Sequence, residues 1–314
     1  MNDRRTTSQF VALIGLTMLV AGLCLFLGPV PDASWSIIME VRLPRVLLGL
    51  LVGAGLATAG VILQGVLRNP LADPFILGTS SAATTGVMLA GLLGIGSYFG
   101  LYFMALGFGI FSIYLVYRIA TVANRTPVQT MILAGVIVSL FFNAIVFVFF
   151  SIFFREQISV LYYLLGTLTE GDTTKLVISA VIIVLGTMVS WFLGRDLDLL
   201  TQGEEAAFHL GVRTETSKRI LFVLASAMVA ASVAVAGLIG FIGLIVPHMM
   251  RIIMGPKHRV LIPASALGGA LVLVLADALA RTAVPPLEIP VGAVTALLGS
   301  PYFVFLLRRR QTEY

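Results

Sequence analysis

Residues 42–45 read RLPR, residues 46–67 read VLLGLLVGAGLATAGVILQGVL, and residues 68–74 read RNPLADP. The middle stretch carries no charge, and it is long enough to cross a bilayer core, which needs about 20 apolar residues. Arginine is costly in hydrocarbon, so we expect Arg42 and Arg45 to lie at the membrane surface and to point into water. Pro44 favours the start of a helix there, and the proline-rich turn is expected to end that helix.

The composition extends this interpretation to the whole chain of 314 residues. Hydrophobic residues make up 59% of it and charged residues 11%, whereas soluble domains carry about 25% charged residues. The mean hydropathy is +1.04. These values predict an all-α polytopic membrane protein. The net charge of +5 is explained by basic residues in cytoplasmic loops, with membrane lipid rather than nucleic acid as the surrounding partner.

Ten apolar segments separated by polar turns predict about ten transmembrane helices in a single domain, residues 1–314. The eighth segment is interrupted by Gly240, Gly243 and Pro247, so we expect it to be short and buried against neighbouring helices. The stretch 152–169 is too polar and too short for a span and is expected to form a re-entrant or surface helix. The ten segments are 10–28, 46–67, 76–94, 100–118, 130–151, 173–193, 217–237, 239–254, 260–280 and 291–307.

An even number of spans places both termini on the same side of the membrane. If that side is the cytoplasm, fifteen of the 20 Lys and Arg residues fall inside and five fall outside. This bias agrees with the positive-inside rule and predicts cytoplasmic termini. The first apolar run is not followed by a small-residue cleavage site, so we interpret it as a retained span rather than a signal peptide.

The longest cytoplasmic connection, residues 194–216, is predicted to contain one or two short surface helices. Thr201 has the spacing of a helix N-cap with Glu204 as the return partner of a capping box. Gly211 is a plausible helix stop in the left-handed conformation. Ala206, Ala207 and Leu210 form a small apolar face. Without further information, this stretch is equally compatible with a solvated loop.

The fifth apolar segment carries three residues at four-residue spacing, Ser139, Asn143 and Phe147. Residues four apart lie on nearly the same face of a helix. An amide in the middle of a bilayer is expected to face protein or water rather than lipid. The face is therefore either the lining of a translocation pathway or an interhelical hydrogen-bonding surface.

The sequence contains few groups of residues that could bind a metal or catalyse a reaction. Cys24 is the single cysteine, and the three histidines have no metal-ligand spacing. We therefore expect no metal site and no cofactor. The chain contains no phosphate-binding G-x-x-x-x-G-K-[ST] sequence and no Ser/His/Asp set, so it is not expected to be an enzyme or to hydrolyse ATP by itself.

Seven ordered segments together resemble the FecCD-type permeases, the membrane subunits of ABC importers for ferric siderophores, haem and vitamin B12. This resemblance implies the type II ABC importer permease architecture in the bacterial inner membrane, with two copies of the chain around a central pathway. It also implies two ABC ATPase subunits and a periplasmic or lipid-anchored substrate-binding protein. The segments are 42–45, 53–64, 68–74, 133–135, 203–211, 240–248 and, as the seventh, the pair 275–281 and 288–292.

The resemblance also assigns roles to particular residues. It implies that Arg42, Arg45 and Arg281 dock the binding protein. The residues to which it assigns ATPase coupling are Gly203, Glu204, Glu205, Ala206, Ala207, Leu210 and Gly211. The substrate pathway falls on Ser139, Asn143 and Phe147, and the cytoplasmic gate region on Val128, Gln129 and Thr130. For the arginines, simple interfacial snorkelling is the alternative, and Arg281 could instead pair with Asp277 four residues earlier.

A competing class is the ion-coupled secondary transporter of a small organic solute. Such proteins need ionisable residues deep within their spans, and Asp277, near a helix end, is the single candidate here. No span carries a cluster of acids able to strip a bare cation of water. The expected substrate is therefore a large iron complex, such as a ferric siderophore or haem, or a corrinoid.

Overall fold

The computed structural model describes residues 3–28, 33–95, 97–122, 125–153, 165–168, 173–285 and 287–311. This part of the chain is helical, with turns and two isolated β-bridges, which confirms the all-α prediction. The helices in chain order are α1 (Asp3–Cys24), α2 (Trp35–Val66), α3 (Thr79–Leu92), α4 (Tyr98–Ala120), α5 (Val128–Phe153), α6 (Thr173–Phe192), α7 (Gly194–Gln202), α8 (Glu204–His209), α9 (Thr214–Ala236), α10 (Ile242–Met254), α11 (His258–Thr282) and α12 (Val291–Gln311).

Each of the ten sequence-predicted segments coincides with one of these helices. Within the described residues, seven helices are long and apolar enough to cross a membrane, namely α1, α2, α4, α5, α6, α9 and α11. The other three, α3, α10 and α12, include the short α10 that the glycines and Pro247 predict. Most of the 152–169 stretch lies outside the described residues, so the expected re-entrant helix stays a prediction.

The start of α2 differs from the prediction based on Pro44. The helix begins at Trp35, and it widens into a π-turn at Ile38–Arg42 directly before Pro44. A proline inside a helix lacks the N–H donor, and its ring collides with the carbonyl four residues earlier. The wider π-turn lets the helix continue through the proline instead of starting at it.

Helix α2 forms the axis of the bundle because glycines let its backbone touch two neighbours. A Cβ atom at Gly53 would overlap the carbonyl of Gly269 in α11, and one at Gly60 would overlap the carbonyl of Gly243 in α10. Small residues allow such close approach between membrane helices, where van der Waals packing drives association. Helices α1, α5 and α6, by contrast, expose most of their apolar surface.

Candidate functional site

One end of the bundle carries a group of five charged side chains, which we call the arginine cluster: Arg42, Arg45, Asp277, Arg281 and Glu288. Arg45 Nε donates to Asp277 Oδ1 at 2.9 Å, and Arg45 Nη1 donates to Glu288 Oε2 at 2.8 Å. Arg281 Nε lies 3.0 Å from Asp277 Oδ2. Arg45 therefore joins the start of α2 to α11 and to the connection before α12.

The same cluster also binds the end of α1. Arg281 donates from Nη1 to the carbonyl of Leu27 at 3.2 Å and from Nη2 to that of Cys24 at 3.4 Å. Arg42 donates to the carbonyl of Leu25 at 3.1 Å. The last carbonyl groups of a helix lack partners within the helix, and cationic donors satisfy them well.

The expectation that these arginines point into water is wrong. Arg42 is 5% exposed, and the side chains of Arg45 and Arg281 are 11% and 2% exposed. Carbonyls and carboxylates around them replace water as acceptors and offset part of the cost of burying the guanidinium groups. The suggested pairing of Arg281 with Asp277 is confirmed, and Glu288 is the cluster's most accessible ion-pair partner, with a side chain 40% exposed.

The face of α5 that carries Ser139, Asn143 and Phe147 is exposed at its Asn143 and Phe147 end. Asn143 is exposed, Ser139 is partly buried, and Phe147 is 73% exposed. The opposite face, through Phe142, packs into the core. Within the described residues, Asn143 makes no side-chain hydrogen bond, so an interhelical bond within this chain does not explain it. The face is free to border a cavity or a second subunit.

A tight turn supports this part of α5 from behind. Asp73 Oδ1 accepts the N–H of Phe75 at 2.7 Å and begins the 3₁₀ turn Pro74–Leu77. Gly78 follows with a φ of 73°, and a Cβ there would press on the backbone of Ser139. The 68–74 motif thus ends α2 as predicted. It also leads into the turn that packs the start of α3 against α5.

The predicted gate residues, Val128, Gln129 and Thr130, form the first turn of α5. Gln129 is exposed, while Val128 and Thr130 are partly buried. The turn immediately before them includes Thr126, whose side chain is buried. Thr126 is hydrogen-bonded to Glu215, which places the gate residues beside the 194–216 connection. This connection contacts the start of α11 through His258, whereas the arginine cluster lies at the other end of α11, so the two sites are at opposite ends of the bundle.

The 194–216 connection contains two short helices, α7 and α8, as the sequence predicts, but its cap is different. Thr201 lies inside α7, where its hydroxyl donates to the carbonyl of Asp198 at 2.7 Å. Gly203 separates the two helices with a φ of 133° and a ψ of 147° and occupies the N-cap position of α8. This backbone conformation favours glycine and breaks the helix two residues later than the capping-box pattern predicts.

The end of α8 follows the prediction for Gly211, whose φ is 86°. The N–H of Gly211 bonds to the carbonyl of Phe208 at 3.0 Å, and the N–H of Val212 bonds to that of Ala207 at 3.0 Å. This pair of bonds is the Schellman motif, which needs a left-handed residue at the position after the cap.

The predicted apolar face of α8 is divided between two sides. Ala207 is fully buried and anchors α8, whereas Leu210 is 58% exposed, and Ala206 and Glu205 are also exposed. Phe208, which the sequence reasoning missed, is 65% exposed. A large aromatic side chain in a polar connection was the available signal. Phe208 and Leu210 thus form an exposed apolar patch on α8.

Polar contacts hold α7 in place beneath this surface. Asp198 Oδ1 accepts the backbone N–H of His258 at 2.9 Å and lies 2.6 Å from its Nδ1. Ser217 donates to Asp196 at 2.7 Å. Burial disfavours the charge on Asp198, but the hydrogen bonds from His258 outweigh it and lower the pKa of this carboxyl. These contacts hold α7 in a fixed position against α9 and α11.

A buried lysine, Lys218, lies between α8, α9 and the turn before α5, and sequence reasoning also missed it. Its Nζ atom is 2.9 Å from Glu204 Oε2 and 2.7 Å from Glu215 Oε1. It also donates to the carbonyl of Thr126 at 3.1 Å. Nothing in the local pattern distinguishes this lysine from a surface residue, because two of its three partners, Glu204 and Thr126, come from other segments. Among the described residues, no three His, Cys, Asp or Glu side chains are grouped to hold a metal ion.

Membrane-length apolar helices, with a charged cluster at one end of the bundle and a loop of two short helices at the other, are the features of a polytopic membrane protein. A profile of the FecCD transport family matches residues 8–309. The chain is 42% identical over 285 residues to a cobalamin import system permease protein of Halobacterium salinarum, covering 90% of this chain and 76% of that protein. It is 39% identical over 287 residues to a hemin transport system permease protein of Yersinia pestis, covering 90% and 86%.

A solved inward-facing structure of a metal-chelate type ABC transporter superposes with a TM-score of 0.88 at 34% identity, covering 96% of this chain and 99% of that one. These similarities span almost the whole length of the chain. The chain therefore belongs to the FecCD transport family, and it is the permease component of an ABC importer.

Proposed function

We propose that this permease translocates a large metal chelate, either an iron complex such as haem or a ferric siderophore, or a corrinoid. The observation that carries the proposal is the exposed stripe on α5, where an amide and an aromatic ring share one face with a hydroxyl. This surface is apolar with a few polar groups, which suits a large organic ligand that keeps its own metal bound. Among the described residues, it contains no carboxylate set for a bare cation.

The pathway in this proposal lies between two copies of the chain, so that two α5 stripes face each other across a two-fold axis. Asn143 and Phe147 are exposed in one chain, and the Asn143 amide has no partner among the described residues. Such a surface is well suited to this arrangement, because cyclic dimers repeat one surface on both sides of the axis. The cytoplasmic termini and a cytoplasmic position of the gate residues follow from the charge bias of the loops, and the inner-membrane location is supported by membership of the FecCD transport family.

Two further partners complete the proposal. ATPase subunits bind Phe208, Leu210 and the exposed side of α8, and rigid-body closure of the ATPases is transmitted through this helix. A substrate-binding protein docks at the arginine cluster. Because Arg45 is already paired, an acidic residue of the binding protein would have to replace Glu288, the partner that water reaches. Docking is then an exchange of carboxylates rather than contact with a free cation.

The surroundings of Asp277 argue against the alternative of an ion-coupled transporter, for which this residue is the single candidate. Asp277 is 2% exposed and lies within 3.0 Å of guanidinium nitrogens of both Arg45 and Arg281. A carboxylate whose two oxygens each face an arginine is poorly placed to coordinate a transported cation.

Uptake into proteoliposomes tests the proposed substrate. The permease is reconstituted with its ATPase and binding protein, and ATP-dependent accumulation of haemin, cyanocobalamin and a ferric hydroxamate is compared with that of free Fe³⁺ and molybdate. The proposal expects accumulation of one of the three chelates. Accumulation of free ions alone would overturn the substrate class while leaving the family assignment intact.

A further inference from the structure

Lys218 lies at a junction between three elements that are distant in sequence. It belongs to α9, yet its ammonium group binds Glu204 at the start of α8 and the carbonyl of Thr126 in the turn before α5. The side chain is 2% exposed. A buried ammonium is costly unless its donors are matched, and here three acceptors from three segments match them.

Glu215 binds the other side of the same turn. Its Oε2 atom accepts the hydroxyl of Thr126 at 2.6 Å and the N–H of Thr126 at 3.2 Å. Together with the bond from Lys218 to the carbonyl, three hydrogen bonds attach the turn before α5 to the first turns of α9. Thr126 itself is 1% exposed, so water competes little for these bonds.

A side-chain hydrogen bond from Lys218 ties helix α8 to α9. Helix α8 has six residues, and its N-cap, Gly203, offers no side-chain hydrogen bond. Such a short helix is not stable by itself. Among the described side chains of α8, Glu204 is the one that is hydrogen-bonded to another element, and Lys218 donates that bond. Because the lysine is buried, salt screens this pairing less than it screens a surface ion pair.

We propose that Lys218 is a positioning residue that makes α8 and the beginning of α5 move as one body. A displacement of α8 by an ATPase then shifts the first turn of α5, which holds Val128, Gln129 and Thr130. The inference rests on the proposed function, since it takes α8 as the ATPase contact. The inference adds that one side chain, Lys218, physically connects the ATPase contact on α8 with the helix that carries the pathway face, α5.

Lys218→Met tests the connection, because methionine keeps most of the stem and removes the charge. Glu204 and Glu215 stay accessible to water in the variant, with side chains 34% and 32% exposed. Arg118→Met is the matched control, since it removes an exposed cation near the end of α4. Glu204→Gln is the milder variant if Lys218→Met folds poorly, because it weakens the α8 contact and leaves Thr126 bound.

The first measurement is made on the permease alone. Spin labels replace the exposed Glu205 and Gln129 in a chain with Cys24→Ala, diluted with unlabelled chains, and the distance between the labels is recorded. We expect one narrow distribution in the parent and in Arg118→Met, and a broadened or shifted one in Lys218→Met and Glu204→Gln. An unchanged distribution in both of the latter variants would overturn the inference.

The second measurement is the number of substrate molecules taken up per ATP hydrolysed by the reconstituted complex. We expect this ratio to fall at least about fivefold in Lys218→Met, with ATP hydrolysis itself retained, and to stay at the parent value in Arg118→Met. A parent complex without ATP-driven uptake refutes the proposed function. A normal ratio in Lys218→Met beside an active parent refutes only the role of Lys218.

Discussion

Arg45 lies between two carboxylates of very different exposure. Asp277 on one side is buried, and Glu288 on the other is 40% exposed. Bulk salt screens the outer pair much more than the inner pair. In the proposed docking, Arg45 exchanges Glu288 for a carboxylate of the binding protein, while Asp277 keeps the guanidinium in place.

Glu288→Gln should tighten binding of the substrate-binding protein. The substitution removes the internal competitor for Arg45, and an exposed ion pair contributes up to about 1 kcal/mol, so we expect a gain in affinity of up to about fivefold at low salt. Glu40→Gln is the control, because it removes an exposed carboxylate near the same end that forms no ion pair within the described residues. An equal gain in both variants, or no gain in Glu288→Gln, would contradict the exchange.

Arg281→Met should destabilise the fold strongly. It leaves the buried Asp277 with one cation fewer and removes two hydrogen bonds to the end of α1. Breaking a buried ion pair costs about 3–5 kcal/mol. Thermal unfolding in detergent should show a clear loss of stability relative to Arg118→Met, which removes an exposed arginine. Equal unfolding temperatures would mean that the cluster does not stabilise the helix ends.

The residue-scale features differ in how far they could be predicted from the sequence. The pairing of Arg281 with Asp277 follows from four-residue spacing on one helix. The burial of Arg45 could not be predicted in the same way, because its partner Asp277 is 232 residues away in the sequence. Lys218 is a similar case, since the chain must fold before Glu204 and Thr126 reach it.

At the scale of elements, glycines set the distances between helices. A methyl group added at Gly60 would meet the backbone of α10, whereas one added at Gly107 in α4 would have no neighbouring atom within 4 Å. Both residues are helical and differ mainly in their surroundings. The pair therefore separates the effect of close packing from the intrinsic effect of glycine on helix stability.

Gly60→Ala should destabilise the protein, whereas Gly107→Ala should be neutral or slightly stabilising. The added methyl group at Gly60 would overlap the carbonyl of Gly243, a backbone atom that cannot rotate away. Overpacking of this kind costs about 1–3 kcal/mol or more, whereas alanine favours a helix over glycine by about 1 kcal/mol. Fluorescence-detected size-exclusion chromatography after heating measures the thermal stability of the two variants. Equal stability would refute the close contact between Gly60 and Gly243.

Phe208→Ala should weaken ATPase binding without affecting the fold. The side chain is 65% exposed, so its removal opens no cavity in the permease. A buried aromatic anchor at an interface contributes about 2 kcal/mol or more, and we expect at least a tenfold loss of affinity. Ile119→Ala in α4, where the side chain is 48% exposed, is the control. Unchanged ATPase affinity in Phe208→Ala would remove α8 from the interface.

Helix positions were largely predictable, because apolar runs of membrane length have few other interpretations. Helix starts were less predictable. Pro44 and Thr201 both suggested helix starts, yet the π-turn at Ile38–Arg42 and the backbone of Gly203 moved them elsewhere. Both differences arise from local backbone geometry that residue spacing alone does not specify.

At the scale of the whole molecule, two polar layers lie at opposite ends of an apolar bundle. The arginine cluster joins α1, α2 and α11 at one end, and Lys218 joins α8, α9 and the start of α5 at the other. The surface between them is apolar, as a membrane requires. A docking event at one end and an ATPase at the other can therefore act on the same set of helices.

The charge bias of the loops predicts that Tyr314 and Arg281 lie on opposite sides of the membrane. Reporter fusions at these two positions should give opposite signals, with the fusion at Tyr314 active as a cytoplasmic reporter. A fusion before residue 10 should report the same side as Tyr314. If Tyr314 and Arg281 report one side, the assignment of the arginine cluster to the outer surface is wrong.

The energy source of transport tests the central claim most directly. Proteoliposomes that hold the permease, its ATPase and its binding protein are loaded with ATP, with a non-hydrolysable analogue, or with no nucleotide under an imposed proton or sodium gradient. We predict accumulation of the chelate with ATP alone, and its loss when Phe208 and Leu210 are both changed to alanine. Accumulation driven by an ion gradient without ATP would contradict the assignment of this chain as the permease of an ATP-driven importer.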